Sequence, residues 1–159
     1  ILLILIIVVV AIKVFSSTDR GEEQLYLPYV QKKYFFTRSE QQFFNILNAK
    51  LDSARYTVFP KVRLGDFIEV EYKDRGDRTW WNKIRAKHID YLIWDLTESK
   101  IVLAIELDGN SHSSARMQER DDFVNELYKK VGIGLERVKV GSDFEAVVSE
   151  ITTFETKEN

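Results

Sequence analysis

The chain has no cysteine. Disulfides, thiolate metal centres and a cysteine nucleophile are therefore excluded from its chemistry. Its two histidines, His88 and His112, are too few for a zinc centre built mainly on imidazole. With two prolines and seven glycines in 159 residues, it shows no internal repeat and no low-complexity tract. Excess charge of either sign is also missing. The 23 basic and 25 acidic side chains give a net charge of −2, so any attraction to nucleic acid must be local. What remains is 45% hydrophobic and 13% aromatic, the composition of one folded domain with a real core.

One long hydrophobic run is present. Residues 1–12 are uninterruptedly apolar, and Lys13, Val14 and Phe15 come next. Residues 1–15 are expected to form a transmembrane anchor, truncated at its start because the chain opens on Ile. Fifteen helical residues span roughly 22 Å against a hydrocarbon core of about 30 Å. Lys13, Arg20, Lys32 and Lys33 on the carboxyl side favour a cytoplasmic location for the chain beyond the anchor. The competing reading is a signal-peptide core cleaved near Val14-Phe15-Ser16, against which the lysine at 13 counts. Residues 16–34 read as a juxtamembrane linker, and 35–155 as the folded domain.

Within that domain Thr37-Arg38-Ser39-Glu40 has the capping-box pattern. Phe43, Phe44, Leu47 and Leu51 follow at helical spacing, which predicts a helix over 38–52. Alternation predicts strands over 56–64 and 66–72, with Pro60 at an edge or bulge. Residues 73–88 form a basic insertion around Trp80 and Trp81. Further on, the pattern predicts strands over 87–94 and 101–109, a loop over 111–117, and an amphipathic helix over 117–131 ended by Gly132. A strand over 135–140 and a closing helix over 144–154 complete it. The order indicates an α/β fold with helices flanking a central sheet.

The two central strands carry the most informative pattern. A five-residue linker, Leu96 to Lys100, is short enough for an antiparallel hairpin. If Asp95 pairs with Ile101, Asp90 faces Glu106, with Cβ atoms roughly 5 Å apart. Asp108 lies two residues on and shares the face. Glu106 sits in a strand that otherwise reads as buried, where a carboxylate needs a partner. A divalent cation among Asp90, Glu106 and Asp108 is the economical answer, against the alternative of solvated carboxylates at strand ends.

Several separated segments then resemble a known family. They are Ser39-Glu40 with Phe43-Phe44, Val58-Phe59-Pro60-Lys61-Val62, Ala86-Lys87-His88-Ile89-Asp90-Tyr91, Ala104 to Gly109 with His112, and Arg120-Asp121. Together, over roughly 35–141, they resemble the bacterial domain-of-unknown-function 2726 family. That family is grouped with the PD-(D/E)XK, restriction-endonuclease-like nucleases, near the very-short-patch-repair endonucleases. The resemblance implies a restriction-endonuclease-like central mixed sheet flanked by helices, here preceded by the transmembrane segment. The expected location is therefore a bacterial inner membrane, spanned once, with the soluble domain facing the cytoplasm. The superfamily pattern implies a helix glutamate, a strand aspartate and Glu-X-Lys, matched by Glu40, Asp90 and Glu106. Position 108 is Asp instead of Lys, and Glu106, Asp108, Gly109 and His112 fit the Glu-X-Asp-Gly-X-X-His form of the repair-endonuclease relatives. The vacant lysine role falls to His112, or to Lys87 if a bulge turns it.

The implied chemistry is phosphodiester hydrolysis assisted by Mg²⁺ or Mn²⁺ on Asp90 and Glu106, with Asp108 as third ligand or as orienter of His112. His112 would be the general acid or base, against its alternative as a turn residue. Glu40 is divided between that site and simple capping. Trp80, Trp81, Lys83 and Arg85 would stack bases and track a nucleic-acid backbone, or form a solvated face. Arg120 would clamp phosphate. The expected function is thus a membrane-tethered, metal-dependent nuclease whose partner is nucleic acid, DNA first. The alternatives are a catalytically silent nucleic-acid-binding module of the same fold, and an interaction domain that binds no polynucleotide.

Overall fold

A computed structural model describes residues 2–18, 25–71, 76, 78–109 and 115–153. The chain divides into two units, residues 1–33 and 34–159. In the first, α1 runs over Leu2–Thr18, a continuous apolar helix whose side chains from Leu3 to Val10 are exposed. Its 17 residues reach roughly 26 Å at about 1.5 Å each. Among the described residues no helix is long and apolar enough to cross a membrane. The helix expected at the start of the chain forms over Leu2–Thr18.

The second unit is an α/β fold built on a four-stranded mixed sheet. Helix α2 (Arg38–Lys50) begins as the sequence predicts. The Thr37 hydroxyl accepts from the Glu40 N–H, and the Glu40 carboxylate accepts from the Thr37 N–H at 2.8 Å. Strand β1 (Tyr56–Arg63) leads through a 3-10 turn (Leu64–Asp66) and an irregular stretch to α3 (Arg78–Ile84). Strands β2 (His88–Asp95) and β3 (Lys100–Asp108) form the expected hairpin. Helix α4 (Ala115–Val131) then crosses over to β4 (Gly134–Lys139), and α5 (Phe144–Ile151) closes the chain. The strand order is β1-β2-β3-β4, antiparallel except for the parallel β3–β4 pair. That parallel pair needs the helical crossover which α4 supplies.

Two apolar layers hold the sheet. On one face Phe43 and Leu47 of α2 and Phe144 and Val148 of α5 pack against Tyr91, Ile93 and Ile105. On the other, Val124 and Tyr128 of α4 and Ile84 of α3 pack against Leu92 and Ala104. In α2, α4 and α5 the buried pairs recur four residues apart, which is the spacing of one helical face. Gly132 ends α4 at φ 72°, a left-handed position glycine takes without a Cβ clash.

Two expectations need correction. The alternating segment 66–72 is not a strand among the described residues. The N–H groups of Phe67 and Ile68 both donate to the Leu64 carbonyl, and this turn takes the chain away from the sheet edge. Ile68 still buries itself, so the alternation marks packing and not pairing. In the hairpin, Asp95 pairs with Lys100 and not Ile101. A bulge between Ile93 and Trp94 then shifts the register by one, so that Tyr91 faces Ile105. Continued by one residue, that register sets Asp90 opposite Glu106, as expected from the wrong starting pair.

Candidate active site

The site forms where β2 and β3 diverge, and Asp90 governs that point. One of its oxygens accepts from the Leu107 N–H at 2.9 Å, so the side chain occupies a rung of the backbone ladder. The other accepts from the Lys61 ammonium at 2.7 Å. The same ammonium donates to Glu40 at 2.5 Å, linking α2, β1 and β2 through one cation. Lys61 sits in β1 at φ 56°, a strained conformation for a residue with a side chain, and the strands' paired register skips it. Burial pushes the Glu40 carboxyl up, but the Lys61 ammonium and the Thr37 N–H outweigh it and leave the group below its usual value. For Lys61 burial acts downward, and its bonds to Asp90 and Glu40 more than offset it, so the ammonium is held above its usual value. Glu40 therefore serves both roles offered by the sequence: it caps α2 and it reaches the site. Its carbonyl also accepts from the Tyr91 hydroxyl at 2.7 Å, which fixes α2 over the sheet.

Glu106 lies in a neighbouring crevice between the sheet and α4, lined also by Lys87, His88, Arg120, Tyr128 and Arg137. Its carboxyl is pushed up to about 7, first by burial and then by the Asp90 charge, against the lowering pull of Arg137 and Arg120. A carboxyl at that value exchanges its proton near neutral pH. Lys87 is held below its usual value by burial and by the like charges of Arg120 and Lys83. The buried Tyr128 hydroxyl has no hydrogen-bond partner among the described residues, which leaves a donor available to a ligand or water in the crevice. The crevice thus sets three cations, the carboxyls of Glu106 and Asp121 and a buried hydroxyl around a space of about 10 Å³, room for roughly one water.

The three carboxylates expected to share a cation have different partners in the structure. Among the described residues no three acidic or histidine side chains gather as a metal-holding group. Asp108 turns to Arg137, the residue paired with Glu106 across β3–β4, at 3.0 Å. Arg137 is further tied to Asn125 and approaches Asp121, so the ion pair closes the strand end against α4. His112 lies outside the described residues. Lys87 reaches the Glu106 crevice from the residue before β2, while Lys83 stands over the Trp80 ring at 4.6 Å. Trp80, Trp81 and Arg85 lie on or just beyond α3, apart from the crevice lining. Arg120 lines the same crevice as Glu106.

Lys61, His88, Tyr128 and Arg137 are site residues that the sequence patterns passed over. The available signal was a cation inside an apolar strand: Lys61 between Pro60 and Val62, and Arg137 before Val138. Such residues are rarely left without a partner.

A family model described as protein of unknown function, DUF2726, matches residues 32–153. The chain belongs to this family. No curated protein and no solved structure matches the chain. The DUF2726 match begins within two residues of the boundary between the two structural units and contains every candidate site residue.

Proposed function

We propose that the DUF2726 domain is a metal-dependent nuclease of the PD-(D/E)XK type, hydrolysing phosphodiesters of nucleic acid. The observation that carries it is the Glu106 carboxyl, raised to about 7 beside Asp90 and surrounded by Lys87, Arg120 and Arg137. Two acidic groups that repel across adjacent strands are a donor set whose tension a divalent cation would relieve. Asp108 is engaged by Arg137, and both Asp90 oxygens by Lys61 and the Leu107 N–H. Glu106 would therefore be the first ligand of a cation and Asp90 a second on displacing Lys61, with water completing the set. When bound it supplies an activated water and charge on the phosphoryl oxygens.

The chain's own groups do the rest. Arg120 and Lys87 hold the phosphate, and the buried Tyr128 hydroxyl donates to a water between them and Glu106. Lys61 takes the place of the absent Glu-X-Lys lysine: it fixes Asp90 and supplies the positive charge from β1 instead of β3. We further propose that α1 attaches the domain to a membrane without spanning it as the helix stands, supported by its exposed apolar surface.

The test is cleavage of duplex DNA, single-stranded DNA and RNA by the full chain, with Mg²⁺, with Mn²⁺ and with EDTA. Metal-dependent cutting is expected, falling by about 10²–10⁴-fold in Glu106→Gln and strongly in Lys61→Met. Folded protein that cuts none of the substrates overturns the reading. It would favour the silent binding module, whose supporting observation is that Asp90 and Asp108 are already neutralised by Lys61 and Arg137.

A further inference from the structure

The adjacent tryptophans of α3 face different clefts. Trp80 lines an apolar groove with Ile68, Ile84, Phe123 and Leu127. Trp81 lines a separate, polar pocket of about 240 Å³ with Arg63, Gly65, Asp66, Arg85 and Ala86. The far edge of its indole lies so close to the backbone that a Cβ at position 65 would stand 3.0 Å from it, so glycine makes room for the ring. The residue is nevertheless 43% exposed, leaving much of the ring open. Arg63 donates twice to the Asp66 carboxylate, at 3.1 and 2.9 Å, which fixes a donor and acceptor pair on the pocket wall. Arg85 adds an exposed cation at the rim.

The pocket also has an address. Arg63 and Gly65 flank Leu64, and Arg85 and Ala86 precede Lys87 and His88. Leu64, Lys87 and His88 line the Glu106 crevice, and the Leu64 N–H donates to the Lys87 carbonyl at 2.9 Å. Pocket and crevice are therefore two sides of one hydrogen-bonded pair of backbone segments.

We infer that the Trp81 pocket takes one unpaired nucleobase from a single-stranded stretch whose backbone runs on past Arg85 to Lys87 and Arg120 beside Glu106. The inference rests on the nucleic-acid reading above and narrows its substrate to single strands or frayed ends. An aromatic ring stacks on any base, and a neighbouring arginine holds the backbone. A base inside a duplex is already stacked and paired, so it must leave the helix before it can enter such a slot. The volume lies below the roughly 300 Å³ at which sites for drug-sized ligands begin, which suits one ring system and its edge contacts.

The experiment is binding of a fluorescent single-stranded oligodeoxynucleotide, and of its duplex, to the full chain at low salt in EDTA, where no cleavage occurs. The single strand is expected to bind more tightly. Trp81→Ala should weaken that binding between about five-fold and about a hundred-fold while leaving duplex binding unchanged. Trp81→Phe keeps a stacking ring and should retain most of the affinity, which separates stacking from misfolding. Equal affinity for single strand and duplex, or an unaffected Trp81→Ala, overturns the inference. Absence of metal-dependent cleavage beside an intact Trp81 effect overturns the nuclease reading and leaves this one standing.

Discussion

Glu106 sits where folding and chemistry oppose each other. Unfolded, it titrates near its ordinary value of 4.5; folded, it titrates near 7. Between those values the native chain holds a proton that the unfolded chain has released. Stability is then greatest at the acid end of the window, falls as pH rises through it, and levels off above pH 7. The loss is on the order of 3–4 kcal/mol, since a tenfold change in proton affinity is worth about 1.4 kcal/mol. Glu106→Gln removes the ionisation, so in EDTA it should lose this slope and be more stable than the wild type at pH 8 by that order. At pH 5 the two should be nearly equal. Urea melts at both pH values measure the difference, and equal slopes in the two proteins would contradict the buried, charge-opposed environment assigned to Glu106. The strain at Lys61 has a matching origin: one residue leaves the strand conformation so that its ammonium can meet two carboxylates at once.

At the level of elements, the patterns that could be read were those in which one residue's burial fixes its neighbours'. Thr37 and Glu40 announce the start of α2, and Phe43 and Leu47 its inner face, because capping and helical spacing are local. Leu47 is fully buried between α2, α5 and the sheet, so Leu47→Ala should cost about 2–5 kcal/mol, read from denaturant midpoints. A loss below about 1 kcal/mol would mean that the α2 layer is far looser than its packing. Tertiary facts were harder to read. The hairpin pattern gave Asp90 opposite Glu106, yet the bulge at Ile93 and Trp94 that makes it true leaves no mark on an alternating strand. Residues 66–72 alternate as a strand does, but pairing depends on an available edge, and the turn at Leu64 denies it one. For the site, Glu40, Asp90, Glu106, Lys87 and Arg120 were legible as polar groups in the family's motif segments. Lys61, although inside such a segment, and Arg137 were not read as site residues, because each completes a charge cluster whose other members are distant in sequence.

At the scale of the whole molecule, the boundary near residue 33 separates two kinds of surface. The family domain hides its large apolar side chains in two layers, whereas α1 presents Leu3 to Val10 and Ile12 outward with nothing polar among them. A contiguous exposed apolar surface of that kind is stable only against lipid or protein. Lipid is the occupant that the apolar stretch from Leu2 to Ile12, with no polar residue on any face, suits best. The full chain should therefore float with phospholipid vesicles in a density gradient. Ile6→Asp combined with Val10→Asp should leave it at the bottom, because an aspartate near the centre of an apolar helix in lipid costs about 3 kcal/mol. Neither change touches the family domain, so cleavage in solution should be the same for both proteins. Flotation that survives both aspartates would shift the attachment to another surface, and wild-type protein that never floats would leave α1 to be covered by protein instead.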